Sequence, residues 1–263
     1  MSPTVQLTPE QVAFYHENGY LSLPQISPPE EVAELREIYD RLFAARTGRD
    51  TGNQFDLAGA DEEGKEESLP QILGPSQYEP RMLETHAWAN ARVIAQALLG
   101  GDGSDIGQGD HAILKPARHG APTPWHQDEA YWDPNFEHQS FSIWMPLQDT
   151  DQAMGCMAFV PGSHRAEIYR HRPIGGDVRV HGLELDEELD LEKAVFVPTP
   201  AGGCTIHSQR TLHYAGPNHT DTPRRAWILM ASRPGKPRTT PRRFPWQEVQ
   251  QTARAERASA KTD

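Results

Sequence analysis

Residues 122–133 read PTPWHQDEAYWD, and the triplet His126-Gln127-Asp128 within them decides how the rest of the chain is read. Successive side chains of an extended backbone alternate between faces, so a strand here aims the imidazole of His126 and the carboxylate of Asp128 into one space. One more histidine completes a two-histidine, one-carboxylate metal site. Such a set covers one face of an octahedral ion and leaves three positions open, which suits a non-haem Fe(II) centre. A lone His-x-Asp is common, so its surroundings have to carry the argument.

The surroundings are rich in short strands. Among residues 111–115, 141–145, 155–160, 194–197, 203–207 and 225–231, β-branched, aromatic and aliphatic residues form runs separated by Pro, Gly and Asp. Six short strands after a helical first third predict a mainly β fold with flanking α: a double-stranded β-helix, or cupin-like jelly roll, buttressed by N-terminal helices. Thr8-Pro9-Glu10-Gln11 is a capping box ahead of a short helix that Gly19 ends, and Ser27-Pro28-Pro29-Glu30 repeats the signal. Residues 47–67 are polar and acidic and predict a long lid loop, and residues 69–99 predict renewed helix. One domain is expected over residues 1–233, with helical cover and lid loop over 1–101, jelly-roll core over 102–233, and a polar basic tail over 234–263.

Composition narrows the function classes. The chain has 263 residues, 37% hydrophobic and 24% charged, with a net charge of −12. Its mean hydropathy is −0.69, which implies generous polar loops. From Arg224 onward ten Lys/Arg face three Asp/Glu, leaving −19 on the first 223 residues. An acidic body argues against nucleic acid as partner, and the basic tail is expected to lie on that body or in solvent. Cys156 and Cys204 form no framework, the N-terminus has no signal-like pattern, and no apolar run approaches a membrane span. A cytoplasmic protein is expected, with no membrane partner, as a monomer or homodimer.

Eleven other histidines could supply the third ligand. His213 is preferred for its setting, GGCTIHSQRTLHYAGPN, a strand, turn and return strand, with Arg224 eleven positions on. His207 in the same segment is read as a packed, hydrogen-bonded histidine.

In this order and spacing, PTPWHQDEAYW, WMPLQDTD, GCMAFVPGSHR, HSQRTLHYAGPN and PRRA resemble the phytanoyl-CoA dioxygenase (PhyH) family of Fe(II)/2-oxoglutarate oxygenases, from about His111 to Ala231 and more weakly into the N-terminal helices. The resemblance implies that His126, Asp128 and His213 bind iron and are the catalytic set. It implies that Arg224 holds the far carboxylate of 2-oxoglutarate, and that Trp144 and Gln127 line the cosubstrate. His111 falls where the family often has a cosubstrate-facing methionine, and Gln71 matches an N-terminal contact. One departure is Ala215, where the family commonly has a serine that helps hold the carboxylate. The activity implied is hydroxylation, or another oxidation, of an unactivated C–H bond of a small-molecule substrate, with 2-oxoglutarate and O₂ converted to succinate and CO₂. Asp128 argues against a halogenase, which replaces that carboxylate. The alternatives are a non-catalytic cupin-like binding protein and a nucleic-acid demethylase.

Overall fold

Alternation along the strand Arg224–Ser232 divides the two interiors of the molecule. Trp227, Leu229 and Ala231 point into a core shared with the helices, whereas Ala226 and Ile228 point into a second core between two sheets. The computed structural model describes residues 1–101 and 103–260. Its major sheet has seven antiparallel strands in the order Tyr20–Leu23, Cys204–Ser208, Ser140–Pro146, Arg224–Ser232, Gly107–Lys115, Pro70–Leu73, Gln54–Asp56. The minor sheet has four, in the order Val195–Val197, Met157–Phe159, His213–Ala215, Thr123–His126. The two sheets face one another as a jelly roll, and the fold is mainly β with flanking helices as expected.

The helices Pro29–Ala44 and His86–Leu99 cover the outer face of the major sheet, burying Val32, Leu35, Tyr39, Ile94 and Leu98 against Ile143 and Trp227. Apolar residues spaced at three and four along the first of these make that stripe. The capping box at Thr8 forms, and Gly19 closes the helix at φ 78°, a left-handed conformation that favours glycine. Ser27 does not cap the second helix. Its hydroxyl bonds Glu31 Oε1 at 2.6 Å, and the Glu31 carboxylate instead accepts from the backbone N–H groups of His86 and Ala87, capping the neighbouring helix.

Two further sequence expectations change. Residues 47–67 are not loop throughout: they carry a short turn at Arg49–Thr51 and the edge strand Gln54–Asp56, with Phe55 fully buried, and run on to 67 without helix or strand. Asp56 accepts from the N–H groups of Ala58, Ser68 and Leu69, and Arg49 pairs with Asp61 and Glu67, so the acidic residues are held locally. Residues 69–99 are not helical throughout. Prolines at 70, 75 and 80 confine the early part to the strand Pro70–Leu73 and short turns, and the helix starts only after Thr85, whose hydroxyl accepts from Trp88 N–H. The tail lies on the acidic body, the first of the two placements expected for it. The helices Pro245–Val249 and Ala253–Ser259 pack on the body, with Arg242 on Glu129 at 2.7 Å and Arg257 on Asp61. Among the described residues no helix is long and apolar enough to cross a membrane.

Candidate active site

His126 ends its strand and His213 begins the neighbouring one, and antiparallel register sets them directly opposite, with ring centroids 4.2 Å apart. Gln127 keeps an extended backbone (φ −121°, ψ 133°), so Asp128 returns to the face of His126 even though the strand has given way to a short turn. One ligand atom from each of His126, Asp128 and His213 lies within 4.8 Å of the other two.

The second nitrogen of each ring settles what these imidazoles can do. His126 Nδ1 lies 2.7 Å from Pro124 O and His213 Nδ1 lies 2.8 Å from Thr211 O. A carbonyl only accepts, so each Nδ1 carries the proton and each Nε2 offers a lone pair to the shared space. Burial holds both rings below the usual histidine range, and the proximity of the other histidines adds to it at His213. Both stay neutral at neutral pH. Burial opposes ionisation of Asp128, but His213 and His207 outweigh it and keep the carboxylate well below the usual carboxylate range. Two neutral imidazoles and a carboxylate fit a divalent iron with open positions.

The triad opens into a cavity of about 220 Å³ lined by Leu57, Gln71, His111, Trp144, His181 and Arg224 among others. Arg224 is 1% exposed, its guanidinium carbon lies 5.3 Å over the Trp144 ring, and its Nε and Nη1 have no hydrogen-bond partner. Burial pulls its pKa down to about 9. A buried cation with unpartnered donors facing a cavity fits a bound carboxylate. Arg225 points the other way and pairs with Asp40 on the outer face.

Of the expected cosubstrate contacts, Trp144, His111, Gln71 and Arg224 all line this cavity. Burial pushes the His111 pKa down to about 4, so it faces the cavity uncharged. Gln127 does not line it. Its side chain turns to the opposite face, donating to Arg210 O at 2.8 Å and accepting from Tyr169 N–H at 2.8 Å, because alternation that sends His126 and Asp128 inward sends Gln127 outward. Gln127 therefore braces the strand that carries His126 and does not line the cavity. Ala215 also lines the cavity, and Thr123, its cross-strand partner, supplies a hydroxyl on the same wall.

Ser142 was not singled out in the sequence, and His207, read there as a packed, hydrogen-bonded histidine, is buried as expected and also faces the cavity. His207 lines the cavity with Nε2 3.3 Å from Asp128 Oδ2, and Ser142 donates to that oxygen at 2.8 Å. The signal was present: if Trp144 faces inward, Ser142 two residues earlier does too, and its cross-strand neighbour is His207.

A family model described as Phytanoyl-CoA dioxygenase (PhyH) matches residues 15–226. A probable alpha-ketoglutarate-dependent hypophosphite dioxygenase of Stutzerimonas stutzeri is 28% identical over 227 residues, covering 84% of this chain and 77% of that protein. The crystal structure of EvdO2 from Micromonospora carbonacea var. aurantiaca complexed with 2-oxoglutarate superimposes with a TM-score of 0.80 at 36% identity, covering 94% of this chain and 99% of that one. The epimerase SnoN, in complex with Fe³⁺, alpha ketoglutarate and nogalamycin RO, gives a TM-score of 0.67 at 25% identity, covering 84% of this chain and 82% of that one.

Proposed function

The chain belongs to the phytanoyl-CoA dioxygenase family and is a 2-oxoglutarate-dependent non-haem iron oxygenase, and on that premise we propose that it oxidises an unactivated C–H bond of an uncharged small-molecule metabolite. His126, Asp128 and His213 would hold the iron, and Arg224 would hold the far carboxylate of 2-oxoglutarate. Bound iron, 2-oxoglutarate and O₂ supply the oxidising chemistry, giving succinate and CO₂ as the substrate C–H bond is broken. The protein's share is binding, orientation and exclusion of water. His126 and His213 keep their protons on Nδ1 by donating to Pro124 and Thr211, which leaves Nε2 free. Trp144 supports the Arg224 guanidinium from beneath, while Ile113, Met157 and Ile228 keep the surrounding wall apolar.

The observation that carries this reading is the pair of unpartnered buried donors on Arg224, in the same cavity as the triad. A purely structural metal site has no use for them. The test is anaerobic addition of Fe(II) and 2-oxoglutarate, which should produce a weak visible charge-transfer band. Absence of that band in folded protein overturns the reading.

Substrate charge follows from the lining. Arg224 is the only Lys or Arg lining the cavity among the described residues, and the proposed cosubstrate takes it. An oxyanion substrate, such as the one named for the Stutzerimonas relative, lacks a second cationic anchor here. Tyr131, Trp132 and His181 offer aromatic faces and neutral polar edges instead, and burial holds the His181 pKa at about 4. Screening metabolites for stimulated succinate formation tests this, with uncharged compounds expected among the hits and anionic ones absent.

A further inference from the structure

The two carboxylate oxygens of Asp128 keep different company. Oδ1 lies 3.7 Å from His126 Nε2 and 3.5 Å from His213 Nε2, on the side where the three residues converge. Oδ2 accepts a hydrogen bond from Ser142 Oγ at 2.8 Å and lies 3.3 Å from His207 Nε2. Ser142 and His207 are each 3% exposed. They are direct cross-strand neighbours on the major sheet, whereas Asp128 follows a minor-sheet strand, so one sheet reaches across the interior to hold a side chain of the other.

A carboxylate only accepts, so the His207 proton belongs on Nε2. Nδ1 is then left buried without a partner. A buried ring that leaves one nitrogen unsatisfied is oriented by the bond it does make, and here that bond points at Asp128 Oδ2. Packing alone, against Phe159 and His213, would accept the same ring with its nitrogens placed otherwise.

We propose that Ser142 and His207 are positioning residues that restrict Asp128 to one-oxygen ligation and so keep open the metal position its second oxygen would take. The proposal rests on the reading above that the triad holds iron. Carboxylates bind metal ions through one oxygen or both. Three protein atoms leave three positions on an octahedral ion, enough for a two-point cosubstrate and O₂; a fourth protein atom leaves two. With Oδ2 engaged by two donors, reaching the metal means giving up both bonds.

Infrared difference spectra of the anaerobic Fe(II)-loaded protein against the metal-free protein, with carboxyl-labelled aspartate, read this directly. The wild type should show the wide separation of carboxylate stretches that marks one-oxygen ligation. Ser142→Ala/His207→Phe should narrow it, weaken 2-oxoglutarate binding by tenfold or more in anaerobic titration, and leave Fe(II) bound. Ser142→Ala alone, a minimal change, should give part of the same shift. His207→Gln, which restores a donor near Nε2, should recover the wide separation, a rescue that lost packing alone does not produce. Supporting hydrogen bonds to metal ligands of this kind are worth about 10–100-fold in affinity or activity. A double variant with the wild-type separation and wild-type 2-oxoglutarate titration overturns this proposal and leaves the triad reading standing. A wild type with no metal-dependent aspartate bands overturns both.

Discussion

The Arg224 guanidinium lies 5.3 Å over the Trp144 ring inside the cavity, while Arg225, the next residue, reaches Asp40 on the opposite face of the strand. One residue of register separates a buried guanidinium with unpartnered donors from a surface ion pair. A charge-assisted pair in the cavity is worth about 2–3 kcal/mol, or roughly a hundredfold in affinity, whereas the outer pair is worth at most about 1 kcal/mol. Arg224→Ala should therefore raise the apparent KM for 2-oxoglutarate by about that factor with iron still bound, and Arg225→Ala should change it little. Titrating 2-oxoglutarate in a succinate assay decides it, and the reverse order of effects would refute the assignment.

Asp128→Ala and His213→Ala should each abolish turnover and weaken Fe(II) binding while the thermal midpoint stays near that of the parent. Both side chains end at the cavity wall, and neither supplies apolar packing to the two cores. Equilibrium dialysis with Fe(II) and a melting curve make the check. Full activity in His213→Ala, with His207 intact, would mean that the distal ligand has been misassigned.

How much of this was legible in the sequence depended on whether a residue's neighbours were local. His126 and Asp128 share a face through one extended dipeptide, and the alternation of Arg224 to Ala231 was readable for the same reason, since period-two patterning needs only adjacent residues. Carried one residue further, that rule puts Gln127 on the outer face, where the structure has it, whereas the resemblance set it beside the cosubstrate. The edge strand within residues 47–67 was missed because their acidic composition signals solvent, while the arginine that neutralises Glu67 and Asp61 lies within the same stretch at Arg49. That the basic tail lies on the acidic body was readable from the charge balance, but the pairs that dock it, such as Arg242 with Glu129, are separated by more than a hundred residues and no local pattern reports them.

Residues 54–58 should therefore be protected from hydrogen exchange before any ligand is added, with a slow amide at Leu57, bonded to Leu69 O at 2.9 Å, and another beyond the stretch at Leu69, bonded to Asp56 Oδ1 at 2.9 Å. The tail contributes to this order. Trp246 Nε1 donates to Ala130 O, Gln250 donates to Val180 O and His181 O, and Arg257 pairs with Asp61, so one short stretch ties three segments beside the cavity. A chain ending at Arg238 should lose protection in residues 54–61 and 178–183 together. Unchanged exchange there would show that the tail rests on the body without bracing it.

His171 gives the protein a weakness in mild acid. The ring is 2% exposed; Nδ1 lies 2.8 Å from Tyr169 O, and Nε2 accepts from the backbone N–H of Gln127 at 3.2 Å. Burial pushes its pKa down to about 4, against the opposing bond to Tyr169. A base whose folded pKa lies below its unfolded value contributes stability that is fully present above about 6.5 and is lost as pH falls towards about 4. The shift corresponds to up to roughly 3 kcal/mol across that window. Protonated Nε2 can no longer accept from Gln127, the residue between His126 and Asp128, so the loss reaches the strand that carries His126. Burial holds His111 and His181 near 4 as well, and they titrate in the same window. His171→Gln, neutral throughout, should therefore reduce the slope of stability against pH between 6.5 and 4 without flattening it. Denaturant unfolding at pH 7, 5.5 and 4.5 should show the variant's deficit greatest at pH 7 and shrinking in acid; equal slopes in the two proteins would mean that protonation of this ring carries none of the acid sensitivity.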